Sequence, residues 1–208
     1  MNKKIAIIGG RGTVGKKISK KALEKGYSVK MLTRYREESG SGDKVCFIRG
    51  DARNKDDIKE LIKGCDAVIN TDGHPKSEKP FYRTVTSHII QGMKELGIKR
   101  YIVATGASLT LNGYEKTFLN QVGANLFQLF FSPMMKEKEQ EYELLKASSL
   151  DWTLIRLPFV VDKKGTGHIK VATKNMLGKV ITNEDIASFL ISQIDSKKYI
   201  RGTPFISN

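Results

Sequence analysis

The residues best suited to chemistry stand at the amino terminus, in Gly9-Gly10-Arg11-Gly12-Thr13-Val14-Gly15. Gly9, Gly12 and Gly15 give the spacing G-x-x-G-x-x-G, and Gly10, Gly12 and Gly15 also satisfy G-x-G-x-x-G. The unbroken apolar run Ile5-Ala6-Ile7-Ile8 precedes them and a lysine-rich amphipathic stretch follows. Glycines between a strand and a helix let a pyrophosphate approach the backbone and rest on the free N–H groups of the helix. Gly9, Arg11, Gly12, Thr13 and Val14 are therefore the expected phosphate cradle of a dinucleotide. A second chemical signal is Thr33-Arg34-Tyr35-Arg36 at the end of the next apolar run, where no carboxylate stands. A carboxylate there would bind a ribose 2′-hydroxyl; a guanidinium grips a 2′-phosphate. Arg34, with Arg11 on the same side, favours NADP(H) over NAD(H).

Other reactive residues make weaker patterns. Tyr142 and Lys146 have the Tyr-x-x-x-Lys spacing, but residues four apart on a helix are simply neighbours on one face. His74, His88 and His168 show no metal-ligand spacing, and no metal site is expected. Cys46 and Cys65 are isolated and read as small apolar side chains beside strands.

The elements that must position these residues alternate along the chain. Strands are expected over 4–8, 28–33, 45–49, 67–71, 100–105 and 152–157, with short ones near 168–172 and 203–206. Helices are expected over 13–25, 54–63, 81–96, 134–148 and 183–195, with Gly26 closing the first and Asn54 capping the second. Such alternation predicts an α/β fold: one Rossmann-like domain over 1–208, a doubly wound, mainly parallel sheet with helices on both faces. The ligand crevice then lies at the carboxyl ends of the strands. The apolar segment 109–133, with Phe118, Phe127, Phe130 and Phe131, interrupts the rhythm and reads equally as a packed excursion or as a lid over that crevice.

Composition narrows the class. The 208 residues carry a formal net charge of +14, which would suit an anionic ligand. The lysines are spread along helices rather than focused, and no nucleic-acid-binding motif is present, so nucleic acid is not the expected partner. No segment reads as a membrane span or a signal peptide, and a cytoplasmic protein with reduced thiols is expected.

Taken together, these runs resemble the atypical short-chain dehydrogenases/reductases, within them the small group typified by biliverdin reductase B (flavin reductase). Beyond the glycine loop and Arg34, the resemblance rests on Gly50-Asp51-Ala52, on Gly64-Cys65-Asp66-Ala67-Val68-Ile69, on Leu150-Asp151-Trp152-Thr153-Leu154-Ile155-Arg156-Leu157-Pro158 and on Ile181-Thr182-Asn183-Glu184-Asp185-Ile186-Ala187. It implies that Asp51 meets the adenine amino group and Ala52 its face. Thr71, Asp72, Gly73 and His74 would lie beside the cofactor, and Leu157, Pro158 and Phe159 would line the nicotinamide side. It implies a hydroxyl at Thr105 or Ser108. It puts the family's lysine at Lys138 as a ribose ligand and the family's tyrosine at Met134, which assigns no catalytic acid. The function implied is an NADPH-dependent reductase whose partner is a small planar hydride acceptor such as a flavin or quinone. The alternative left open is a catalytically weak NAD(P)-sensing or regulatory protein.

Overall fold

The computed structural model describes residues 2–34, 44–71, 80–106 and 121–208, and for 121–132 the helical backbone alone. Five parallel crossovers build the first six strands: β1 (Lys4–Ile8), β2 (Ser28–Thr33), β3 (Val45–Arg49), β4 (Ala67–Asn70), β5 (Arg100–Gly106) and β6 (Asp151–Leu157). They stand in the order β3-β2-β1-β4-β5-β6 and continue into β10 (Phe205–Ser207) and β8 (Lys170–Ala172). β8 pairs antiparallel with β10, so the sheet is mainly parallel, as expected. The order reverses between β1 and β4, and a crevice opens at such a switch point above the carboxyl ends of the strands.

Alternate side chains of the strands bury into two cores. Ile5, Ile7, Val29, Ile69, Ile102 and Ile155 pack against Ile18 and Ala22 of α1 (Thr13–Glu24) and Ile186 and Leu190 of α5 (Asn183–Ser192). Ala6, Ile8, Val68, Val103 and Leu154 face the other way. They meet Ile58 and Leu61 of α2 (Lys55–Ile62), Val85 and Ile89 of α3 (Tyr82–Glu95) and Leu145 of α4 (Gln121–Ala147). Apolar residues on both strand faces are what a sheet covered on both sides requires. Helix ends follow the expected chemistry. Gly26, at φ +83°, turns the chain out of α1, and the Asn54 side chain accepts from the N–H groups of Asp56 and Asp57.

Three features depart from the sequence reading. α4 begins at Gln121 and runs through Pro133, rather than starting at Met134. A proline removes one helical hydrogen bond and disfavours the turn before it, which makes it a boundary signal in sequence, yet a long helix crosses it here. A second, two-stranded sheet of β7 (Phe159–Val161) and β9 (Val180–Thr182) was not anticipated. Cys46 is exposed on edge strand β3, whereas Cys65 is buried and its thiol is pushed up to about 11 by that burial.

The apolar run of β6 also holds a buried arginine. Arg156, 1% exposed, donates from Nε to the carbonyl of Thr203 at 3.1 Å and stacks on the Phe205 ring at 3.4 Å. It ties the last strand to the sheet and so has a structural task.

Candidate functional site

The glycine turn sits at the sheet's switch point, between the end of β1 and α1. Gly9 adopts φ +79°, and its carbonyl accepts from the N–H of Gly12 at 3.1 Å. A Cβ on Gly15 would lie 2.3 Å from that carbonyl oxygen and 2.5 Å from the Cα of Gly10, so only glycine lets the helix seat this tightly. A Cβ on Gly12 would meet only the Gly9 oxygen, at 3.3 Å, and otherwise open space. Gly12 is the N-cap of α1 and offers no side-chain cap, and the first turn has no acidic residue. By contrast, α2 and α5 open with Asn54 and Thr182 as caps and two acidic residues each. The first-turn N–H groups of α1 therefore face outward with a positive helix end behind them, which fits a phosphate.

Beside this turn, Arg11 reaches the Thr33 hydroxyl from Nη1 at 3.5 Å, and Arg34 is exposed just past β2. Asp51 follows β3. Its carboxylate accepts from the backbone N–H and from Nε of Arg53, each at 2.9 Å. Arg53 holds the Asp51 carboxyl below its ordinary range against the opposing effect of desolvation, and Arg34 adds to the shift. Two arginines, Arg53 and Arg34, thus act on one carboxylate at the expected adenosine end. Arg53 is the member that sequence reading missed. Ala52 is buried among the side chains that α2 covers.

A cavity of about 310 Å³ continues from the turn across the ends of β4, β5 and β6. Val14, Thr71, Ala104, Thr105, Gly106 and Leu157 form its floor, and Tyr82 of α3 with Met134, Met135 and Lys138 of α4 form its wall. The Thr71 hydroxyl donates to the Ile8 carbonyl at 3.3 Å, and Thr105 is buried.

The NAD(P)H-binding family model matches residues 9–197, nearly the whole length of the chain. The chain belongs to that family. Among related proteins, the uncharacterized sugar epimerase YhfK of Bacillus subtilis is 24% identical over 204 residues, covering 93% of this chain and 89% of its own. The mouse sterol-4-alpha-carboxylate 3-dehydrogenase (decarboxylating) is 28% identical over 119 residues, which is 54% of this chain but only 32% of that enzyme. The chain thus spans about a third of the length of that relative. A wide-type short-chain dehydrogenase/reductase from Veillonella parvula, solved in complex with NADP, superposes with a TM-score of 0.80 at 17% identity, covering 100% of this chain and 95% of the other. The fold is that of the short-chain dehydrogenases/reductases.

Within this NAD(P)H-binding chain, the structure sorts the residues expected at the site. Val14, Thr71, Thr105, Lys138 and Leu157 line one cavity, with Gly9, Gly12 and Thr13 in the turn beside it. Phe159 does not join them. It lies on β7, 80% exposed and paired with Val180, and Pro158 between them is half-buried. Asp72, Gly73, His74 and Ser108 lie outside the described residues, as do the side chains of 109–132.

Lys138 is the most constrained group in the wall. Its Nζ is 3.0 Å from Oε2 of Glu141, with the two side chains only 10% and 1% exposed, and sits 3.5 Å above the centre of the Tyr82 ring. Glu141 also accepts from the Thr86 hydroxyl at 2.9 Å. Met134, four residues before Lys138, lines the same cavity where the resemblance puts a tyrosine. Tyr142 and Lys146 stand elsewhere: the Tyr142 ring meets Trp152 edge-on at 6.0 Å, and Lys146 pairs with Glu143 at 2.9 Å. Their spacing is a coincidence of one helix face. Tyr82 was not singled out in the sequence; the only available hint was its place in the first turn of the helix that follows β4. Among the described residues no cluster could hold a metal ion, and no helix is long and apolar enough to cross a membrane.

Proposed function

We propose that the protein is an NADPH-dependent reductase that transfers a hydride to a small planar acceptor such as a flavin or quinone. The observation that carries this reading is the cavity itself. It starts at an uncapped helix end, crosses the sheet's switch point, and has an apolar lining of Val14, Ala104, Met134, Met135 and Leu157 that suits a flat aromatic ring. A reduced nicotinamide supplies the hydride when bound. The chain's own residues do the positioning. The first-turn N–H groups of α1 take the pyrophosphate, Arg34 and Arg11 take the 2′-phosphate, and Asp51 and Ala52 meet the adenine. Lys138, held by Glu141, reaches the ribose. Such chemistry depends mainly on orientation and exclusion of water, so it tolerates the methionine at 134. The relative named as a dehydrogenase supports oxidoreductase chemistry. A cytoplasmic setting belongs to the same reading and is supported by the unpaired thiols of Cys46 and Cys65.

The test is NADPH oxidation by the purified protein with a panel of flavins, quinones and carbonyl compounds. Turnover faster with NADPH than with NADH is expected; binding without turnover on any of them refutes the reading. Met134 at the family's tyrosine position favours one second reading, a nucleotide sensor. That reading predicts similar affinity for NADPH and NADP⁺ and a partner protein retained with only one of them.

A further inference from the structure

We propose that Tyr82, supplied by α3, is the catalytic proton donor of this site and takes the place of the tyrosine that α4 lacks at Met134. The inference rests on the reductase reading above and extends it to acceptors that must gain a proton at oxygen, namely quinones and other carbonyl compounds.

Among the described residues, four that line the cavity carry a protic side-chain group: Thr71, Tyr82, Thr105 and Lys138. The Thr71 hydroxyl donates to the Ile8 carbonyl. The Lys138 ammonium is engaged by Glu141 at 3.0 Å and is nine-tenths buried. Thr105 carries an aliphatic hydroxyl, too weak an acid to protonate a developing oxyanion. A phenol, with an ordinary pKa of about 10, is matched to that oxyanion. Tyr82 is thus the one neutral group of the four whose acidity suits the task; an ammonium is of similar ordinary acidity, but that of Lys138 is committed to the Glu141 carboxylate.

Its surroundings support the charge that the task leaves behind. The Lys138 ammonium lies 3.5 Å from the centre of the Tyr82 ring, where a cation stabilises the electron-rich phenolate more than the phenol. Glu141 holds that ammonium in place and is in turn held by Thr86 of α3, so α3 and α4 are locked together around the pair. The cation and the phenol come from different helices, yet they meet at the ends of β4 and β5, where the acceptor must lie.

In the step, the acceptor's C=O π bond breaks as its carbon gains a hydride with the electron pair and its oxygen gains the Tyr82 proton. The acceptor is reduced by two electrons, the dihydronicotinamide is oxidised to the nicotinamide cation, and the phenolate regains a proton from solvent.

The test is Tyr82→Phe, which keeps the ring and its contact with Lys138 and removes only the hydroxyl. The first readout needs no turnover: the affinity of 9,10-phenanthrenequinone for protein saturated with NADP⁺, a complex in which both partners are oxidised and cannot react. The second is steady-state reduction of the same quinone by NADPH. The expected result is unchanged NADP⁺ affinity, quinone binding weaker by about fivefold for one lost hydrogen bond, and kcat lower by about a hundredfold or more. Quinone binding and kcat that both match the wild type would overturn the role of Tyr82 and leave the reductase reading intact. Loss of NADP⁺ affinity in the variant would also overturn it, by making Tyr82 part of the cofactor wall. A wild-type protein that binds NADP⁺ but neither binds nor reduces the quinone, a flavin or any other carbonyl overturns both.

Discussion

Glu141→Gln is the substitution that most sharply separates a buried ion pair from a passive contact. The carboxylate is 1% exposed and lies 3.0 Å from the Lys138 ammonium, which is 10% exposed. At that distance, with an effective dielectric of about 20, the direct attraction is about 5 kcal/mol. The amide can still accept from the Thr86 hydroxyl, which stands 2.9 Å from Oε1, so that hydrogen bond survives. What is lost is the counter-charge of a buried ammonium, and removing one partner of such a pair costs about 3–5 kcal/mol. A urea titration followed by Trp152 fluorescence should show that loss as a lower midpoint with an unchanged slope. The same variant should raise the KM for NADPH more than it lowers kcat, because Lys138 is freed to leave the ribose. The double variant Lys138→Met with Glu141→Leu should recover most of the stability while keeping the raised KM, since it removes both charges together. A Glu141→Gln protein within about 1 kcal/mol of wild type would refute the reasoning, because a buried ammonium without a counter-charge cannot be that cheap.

Arg34→Ala should weaken NADPH by about 1–3 kcal/mol and leave NADH nearly unchanged, as one charge-assisted contact is lost; fluorescence titration with both cofactors checks this. A third prediction concerns acid. Burial works against ionisation of Asp185, but hydrogen bonds from Thr166, Thr182, Gly167 and Asn208 outweigh it and hold its pKa at about 2, down from 3.8. The folded state is therefore favoured by this group above pH 4, and the contribution, about 2 kcal/mol, is lost as pH falls from about 4 to 2. Asp185→Asn should lower the wild-type stability at pH 7 and flatten its fall over that range; parallel stability–pH curves for the two proteins would contradict the assignment.

Much of the fold could be read directly from the chain because its central strands are buried on both faces. An uninterrupted apolar run such as Ile5-Ala6-Ile7-Ile8 has few other uses in a short segment followed by glycine, and β2 (Ser28–Thr33) and β3 (Val45–Arg49) have the bounds expected of them. Asn54 and Gly26 mark helix ends by local chemistry, which sequence carries in full. The failures share a different cause. β7 and β9 are three residues each and carry the exposed Phe159 and Val180, so no periodicity or burial announces them. Pro133 is a local signal that a longer helix overrides. At the site, the turn was legible by spacing and Lys138 only through the family resemblance, whereas Tyr82 was not. Its meaning comes only from Lys138, which the fold carries to it from another helix. Arg53 meets Asp51 locally, two residues away, but Arg34 joins that carboxylate only when β2 and β3 pair.

The account depends first on a phosphate-bearing dinucleotide seated on the amino end of α1, and isothermal calorimetry tests that most directly. Titration of NADPH into the folded protein should give saturable one-to-one heat, with NADP⁺ bound and NADH bound more weakly. No heat with either NADPH or NADP⁺, from protein whose circular dichroism shows it folded, would contradict the account at its root.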